Sequence, residues 1–386
     1  MQYFRQASVN IVRLDSLRTA MNIYIYLIAG VFIISAACGF IFIPIILNFC
    51  KAKNLYDIPN PRKIHKNAVP RLGGTAFMPS MFIAFAVAVM AFYPSGRHIT
   101  ISLWSLLFLT SILLVYVIGL LDDVFGLSPA VKLIVQIISA CMLPLSGLYI
   151  NNLYGFMGIN GVPYTAGVLL SVFVTVFIDN AINLIDGIDG LAAGLSIIAL
   201  GGFLYIFSLQ GVWIYSALIA GLIGVLVAFM YFNIFGSADK NRKIFMGDAG
   251  SLSLGFILGF LCVKYTMDNP AAISCRYFDF IMAFTLLAVP MFDVVRVSLV
   301  RIYHCKSPFK ADKRHIHHKC MRAGLSQHQT LGCIVCLQLV FIAANALLLN
   351  VMSNTLVVAV DIVFYIFINL ILNFFIRKRE RLARSF

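Results

Sequence analysis

Asn183, Asp186 and Asp189 are spaced three apart in NLIDGIDGLAAG, residues 183–194, with a glycine after each carboxylate. On a helix this spacing brings the three side chains near one face. The glycines permit a bend or a close backbone approach. An oxygen-rich stripe of this kind suits a hard cation or a polar substrate. Asp-Gly pairs also form ordinary turns, so the stretch alone is compatible with a polar loop. Asp122 and Asp123 are adjacent in GLLDDVFGLSPAVKL, residues 119–133, just ahead of Pro129 and Lys132. Neighbouring carboxylates repel unless a cation or hydrogen bonds compensate. That fits a Mg²⁺ or phosphate site as well as a solvated helix end. Asp248 and Ser251 fall in FMGDAGSLSLG, residues 245–255. A helix starting there would offer free N–H groups to an anion, with Asp248 or Ser251 as its cap.

Two basic loops complete the set. PFKADKRHIHHKCMRAGLS, residues 308–326, places His315, His317 and His318 among Lys310, Lys313, Arg314, Lys319 and Arg322. Zinc is disfavoured by the crowd of cations and by the lack of a cysteine pair at zinc spacing. A mixed His/Lys/Arg loop suits either a diphosphate or lipid headgroups. DIPNPRKIHKNAVPRLGG, residues 57–74, repeats the pattern with Lys63, His65 and Arg71.

The elements that must hold these residues are membrane helices. The chain is 386 residues long, 61% hydrophobic and only 11% charged. Apolar runs of about 20 residues, enough to cross a bilayer, recur throughout. Alternating short strands, the mark of a β-barrel, are absent. The sequence predicts an all-α polytopic membrane protein with about eleven spans: 21–49, 75–94, 99–121, 129–150, 165–184, 190–209, 212–235, 251–267, 279–300, 331–352 and 355–376. Loops 50–74, 122–128, 185–189, 236–250 and 301–330 and the tail 377–386 carry most of the lysines and arginines. They are therefore cytoplasmic, with the N-terminus outside and the C-terminus inside. Residues 1–20 read as an N-terminal arm and 21–376 as one transmembrane catalytic domain. The apolar run passes Cys38 unbroken, which points to an uncleaved span rather than a signal peptide; Met21 is an alternative start. The net charge of +14 is explained by these loops, so nucleic-acid binding is not expected. The nine cysteines, Cys333 and Cys336 included, read as buried small hydrophobes. Asp57, Asp122, Asp123, Asp186, Asp189, Asp248 and Asp312 all gather on the cytoplasmic side, with Asp179 and Asp293 just inside neighbouring spans. Ionisable groups at membrane depth are costly and usually functional. A single cytoplasm-facing site follows.

Taken in order, DIPNPRKIHKNAVPRLGG, LLDDVFGL, NAINLIDGIDGLAAGL, MGDAGSLSLG and ADKRHIHH resemble the polyprenyl-phosphate N-acetylhexosamine-1-phosphate transferase family. They cover residues 57–318. The resemblance implies transfer of N-acetylhexosamine-1-phosphate, most simply GlcNAc-1-phosphate, from a UDP-sugar to undecaprenyl phosphate. UMP leaves, and Mg²⁺ is the cofactor, with Mn²⁺ as a substitute. It implies a multi-pass protein of the bacterial inner membrane among membrane lipids, and it allows a homodimer. By family position Asp248 and Asn183 are metal ligands. Lys132, His315 and His317 meet phosphates or nucleotide, and Asp122 and Asp123 act as base or metal support. Asp186 and Asp189 orient the site or contact substrate. Lys63, His65, Arg71, Asn180, Ser251, Asp293, Arg296, Arg314 and His318 are further candidates for substrate contact. The branch that transfers phospho-MurNAc-pentapeptide is the alternative within the family. A cation-coupled transporter is the alternative outside it, but its broken helices would place the acids near the bilayer midplane.

Overall fold

A computed structural model describes residues 2–57, 68–92, 103–237, 242–269, 279–305 and 314–384, with backbone alone for 2–22, 57, 92, 279 and 383–384. The helices are α1 (Gln2–Ala52), α2 (Phe77–Phe92), α3 (Leu103–Phe125), α4 (Pro129–Leu145), α5 (Tyr164–Ile185), α6 (Leu191–Leu209), α7 (Trp213–Ile234), α8 (Gly247–Thr266), α9 (Asp279–Thr285), α10 (Ala288–Tyr303), α11 (Ile316–Ala323), α12 (Gln327–Leu348) and α13 (Asn354–Arg384). Two small antiparallel pairs interrupt them: β1 (Tyr56–Asp57) with β2 (Val69–Pro70), and β3 (Asn152–Phe156) with β4 (Ile159–Gly161). Nine helices among the described residues are long and apolar enough to cross a membrane. This is a multi-pass, all-α membrane protein.

The core is built around α8. Its apolar window is buried from end to end. Such a helix must be small on the sides where neighbours approach, because helices in lipid associate through close backbone packing. Gly255 and Gly259 of α8 lie against the backbone of Asp179 and Thr175 on α5; a Cβ at Gly255 would stand 2.7 Å from Asp179 Cα. Outward faces are different. Leu109, Phe173, Tyr205 and Phe374 are exposed large apolar side chains, as a lipid-facing surface requires. The same surface corrects the expectation for the cysteines. Cys50, Cys262 and Cys320 are buried, but Cys141, Cys305, Cys333 and Cys336 are exposed. A thiol on a lipid-facing helix is as well solvated by hydrocarbon as one in the core.

Three elements depart from the sequence reading. The apolar segment 279–300 is two helices, broken at Leu286–Leu287. Pro290 cannot donate to the carbonyl four residues back. Gln338 of α12 repairs the break: its Nε2 donates to Thr285 O at 2.8 Å and its Oε1 accepts from Val289 N at 3.0 Å. The segment 129–150 forms only the 17-residue α4, ending where Pro144 and Gly147 turn the chain. The basic stretch 377–384, expected as a tail, continues α13.

Candidate active site

α3, α4, α5, α8 and α11 alternate in direction, so the C-termini of α3 and α5 meet the N-termini of α4, α8 and α11 at one end of the bundle. Ser128 caps α4, accepting from Val131 N, and Pro129 sits at its first position. This fixes Lys132 one turn in. Its Nζ lies 2.5 Å from Asp248 Oδ2 and 3.0 Å from Asp122 Oδ2. Asp122 Oδ1 also accepts from Leu127 N at 2.6 Å, which holds the α3–α4 turn. Asn183 Nδ2 donates to Asp248 Oδ1 at 3.2 Å and to Ser251 Oγ at 2.8 Å. Asp122, Lys132, Asn183, Asp248 and Ser251, from four helices, thus form one continuous polar cluster.

Asp123 has a different task from its neighbour. It is buried, and its two oxygens accept the backbone N–H groups of Asp248 and Ala249, each at 2.9 Å. These are orphan donors at the start of α8. The carboxylate caps that helix and also meets its positive end. Gly247 makes this possible: its φ is +73°, and a Cβ there would run into the Asp123 carboxylate. The segment before it is zipped to the PRLGG stretch. Phe245 N donates to Pro70 O at 2.8 Å, Gly73 N to Phe245 O at 2.9 Å and Gly74 N to Met246 O at 2.7 Å. Arg71 lies beside this seam, close enough to Asp123 for their charges to interact. Lys63 and His65 lie outside the described residues.

The DGIDG loop forms another wall. Asp186 ends α5, exposed and within electrostatic reach of Asp248 and Asp189. Asp189 pairs with Lys243 at 2.5 Å. Gly190 N donates to Asn233 Oδ1 at 2.6 Å, and Asn233 Nδ2 donates to Ile244 O at 2.8 Å. Asn233 therefore ties the loop to the segment that leads into α8. Gly187 lies directly under His317 Nε2, where no Cβ would fit. Burial first, then the charge of His318, hold His317 down to about 3, so it is a neutral imidazole. Its Nδ1 is buried without a hydrogen-bond partner among the described residues. His315 stacks on it at 5.9 Å between ring centroids.

Asp293, fully buried, organises the histidine segment. Its Oδ2 is 2.7 Å from His315 Nδ1, and its Oδ1 accepts from Arg296 Nη2 at 2.7 Å, Ile316 N at 3.0 Å and Tyr365 OH at 3.2 Å. With Nδ1 engaged, His315 has Nε2 left for a ligand. Arg296 also donates to Arg314 O at 2.5 Å. Arg314 is half-buried and His318 packs on His317 at 4.3 Å. Asn180 turns to α4 instead of the cluster, donating to Gln136 Oε1 at 3.0 Å and Val176 O at 2.8 Å. Asn233, Gln136 and Tyr365 were not legible in the sequence as site residues. The only sign of Asn233 is a polar residue closing an otherwise apolar span.

The cluster can neutralise phosphate charge and offer hard oxygen donors. Asp248 carries carboxylate oxygens of the kind Mg²⁺ prefers and Asn183 an amide oxygen, although the amide turns its Nδ2 to Asp248 and Ser251 in this structure. No group of three or more His, Cys, Asp or Glu side chains among the described residues is placed to hold a metal. A site with one or two protein ligands completed by substrate phosphates is how Mg²⁺ is commonly bound, so this donor set fits a metal that arrives with a diphosphate.

Residues 103–266 match the model of glycosyl transferase family 4. The chain is similar to the probable undecaprenyl-phosphate N-acetylglucosaminyl 1-phosphate transferase of Bacillus subtilis (strain 168), 32% identical over 357 residues, covering 87% of this chain and 88% of that protein. The undecaprenyl-phosphate alpha-N-acetylglucosaminyl 1-phosphate transferases of Yersinia pestis and Escherichia coli (strain K12) are each 30% identical. They cover 71% and 72% of this chain, and 72% of their own length in each case. The chain belongs to glycosyl transferase family 4.

Proposed function

We propose that this protein transfers GlcNAc-1-phosphate from UDP-GlcNAc to undecaprenyl phosphate, releasing UMP and starting a cell-envelope glycan. The similarity to transferases named for this reaction supports the donor and acceptor. The observation that carries the chemistry is the Lys132 ammonium held between Asp122 and Asp248, beside Asn183 and the first turn of α8. An oxygen of the lipid phosphate forms a bond to the β-phosphorus of the donor. The bond from that phosphorus to the bridging oxygen breaks, and the electron pair leaves with UMP. Phosphoryl transfer of this type depends mainly on positioning and charge stabilisation. Lys132 neutralises phosphate oxygens, and His315, oriented by Asp293 through Nδ1, turns Nε2 towards the donor diphosphate. His317, neutral, lines the same wall. Asp248 and Asn183 would hold Mg²⁺, which when bound supplies charge neutralisation at the diphosphate. A strict general base is not required. The second pKa of a phosphate monoester is about 6, so its attacking oxygen is already largely deprotonated. Asp123 is committed to the α8 N-terminus and Asp122 to Lys132 and Leu127, which leaves Asp122 in a charge-setting role. In this reading α4 and the α9–α10 pair join the nine long helices to make eleven spans in the bacterial inner membrane, with the N-terminus outside and the site cytoplasmic, an orientation that the basic loops support.

The test is direct. Purified protein in detergent receives undecaprenyl phosphate, Mg²⁺ and a panel of UDP-sugars, and UMP is measured. UDP-GlcNAc should release UMP, and Asp248→Ala should abolish the release. Folded protein that releases no UMP from any UDP-N-acetylhexosamine refutes the reading. Release from UDP-MurNAc-pentapeptide alone moves the protein to the other branch.

A further inference from the structure

We propose that the C-terminal helix α13 is the splint that positions the histidines of α11 for the donor substrate, with Asn369 and Tyr365 as its working residues. The inference rests on the reading of His315 and His317 as groups that meet the UDP-sugar. α11 has only eight residues, Ile316–Ala323. A helix that short is not stable in isolation, because too few hydrogen bonds offset its nucleation. Something outside it must fix its place.

α13 does so along one face. Tyr365 OH donates to Asp293, the carboxylate that orients His315, and its ring stacks on Phe292 at 5.4 Å. One turn further, Asn369 Oδ1 accepts from Lys319 Nζ at 2.8 Å. Lys319 and Asn369 are both buried, so this ammonium would lose its main partner if Asn369 were removed. Near the end of α13, Arg379 Nη1 donates to the carbonyls of Met321 and Arg322 at 3.3 and 3.2 Å, in the last turn of α11. Arg322 pairs with Glu380 at 2.7 Å, but both are more than half exposed. The stretch that read as a basic tail is therefore part of the scaffold of the site.

Burial grades these contacts. The exposed pair contributes little. The buried Lys319–Asn369 contact cannot be lost without displacing an ammonium. Misplacing a catalytic group by about 1 Å can cost around a hundredfold. Asn369→Leu should therefore raise the KM for UDP-sugar between about tenfold and a hundredfold, while the KM for undecaprenyl phosphate stays within about twofold. Asn369→Asp, which keeps an acceptor for Lys319, should restore the donor KM. Glu380→Ala should behave as wild type.

Two measurements decide the matter. The first is hydrogen exchange of the 316–323 amides in intact, substrate-free protein. It should speed up in Asn369→Leu, return in Asn369→Asp and leave α3 and α8 protected. The second is the pair of KM values for the three variants. Unchanged α11 exchange and donor KM in Asn369→Leu overturn the inference. So does exchange that rises throughout the protein with both KM values, which would mean general loosening. If wild type releases no UMP, the functional reading fails, and the exchange measurement still decides whether α13 holds α11.

Discussion

Replacing Asp123 with Asn tests the division of labour between the two adjacent aspartates. Each Asp123 oxygen accepts one backbone N–H of α8, at 2.9 Å. The amide can satisfy one of them. Its NH₂ must face the other, leaving a buried donor against a donor. Loss of one charge-assisted hydrogen bond costs about 1.5–3 kcal/mol. Loss of the negative charge at a helix N-terminus adds about 0.3–1 kcal/mol. The variant should be destabilised by about 2–4 kcal/mol, read as a lower thermal-inactivation midpoint. Either way the N–H of Asp248 or of the adjacent Ala249 is released, so the first turn of α8 loosens and the Asp248 carboxylate moves relative to Lys132 and Asn183. That should lower kcat by about a hundredfold. Asp122→Asn gives the contrast. Its Oδ1 can still hold Leu127 N, and Lys132 keeps Asp248. Stability should barely change, and activity should fall through altered charge alone. The assay pairs UMP release with thermal inactivation for both variants. If Asp123→Asn loses activity with wild-type stability, and Asp122→Asn loses stability with wild-type activity, the capping argument is wrong.

Lys132→Met should lower kcat by about 10²–10³-fold, the usual cost of removing one electrostatic stabiliser; activity within tenfold of wild type would place the phosphates elsewhere. Gly187→Ala should push His317 off the DGIDG loop, since a Cβ there collides with the imidazole. The expected result is a raised KM for UDP-sugar, against an unchanged KM if the loop and the histidine act separately. Asn233→Leu strands Gly190 N and Ile244 O and should destabilise the protein by about 2–6 kcal/mol, taking about 1–3 for each stranded group; unaltered thermal inactivation would show that the loop is held by other means. His317 titrates near 6.5 when unfolded but only near 3 in the native protein. Between those values the unfolded state binds the extra proton, so native stability falls as pH drops from 6.5 towards 3. His317→Gln should flatten that part of the stability–pH curve, and a curve identical to wild type would mean that the imidazole is not buried as described.

The membrane architecture was legible because hydrocarbon demands it: long apolar runs have few other uses, and the basic loops mark one side. The polar cluster of the candidate site was legible as a set of edges. Asp122, Lys132, Asn183, Asp248 and His315 lie at helix ends that alternating helices bring together. What the sequence hides are partnerships between side chains and backbone. Nothing in an apolar run announces that Gln338 bridges the break at Leu286–Leu287, because the break depends on Pro290 and the repair comes from a helix about fifty residues away. Nothing in a basic tail announces that Arg379 meets the carbonyls of α11. Such contacts depend on where a helix is laid, and packing rather than local composition decides that.

Asp122 and Asp123 show the limit most sharply. They have one side-chain chemistry and adjacent positions, so any reading of composition or spacing must treat them alike. An α-helix turns through about 100° per residue, given 3.6 residues per turn, and at the end of α3 that rotation separates their surroundings. One carboxylate points along the turn to Leu127 and Lys132. The other points across to the first N–H groups of α8, which Gly247 has brought close enough to bind. The difference in role therefore arises from the neighbours of each residue, and those neighbours are set in part by the glycine packing of α8 against α5. A substitution at Gly255 or Gly259, two to three turns along α8 from Asp248, should act on the same cluster by moving the helix whose N-terminus Asp123 holds.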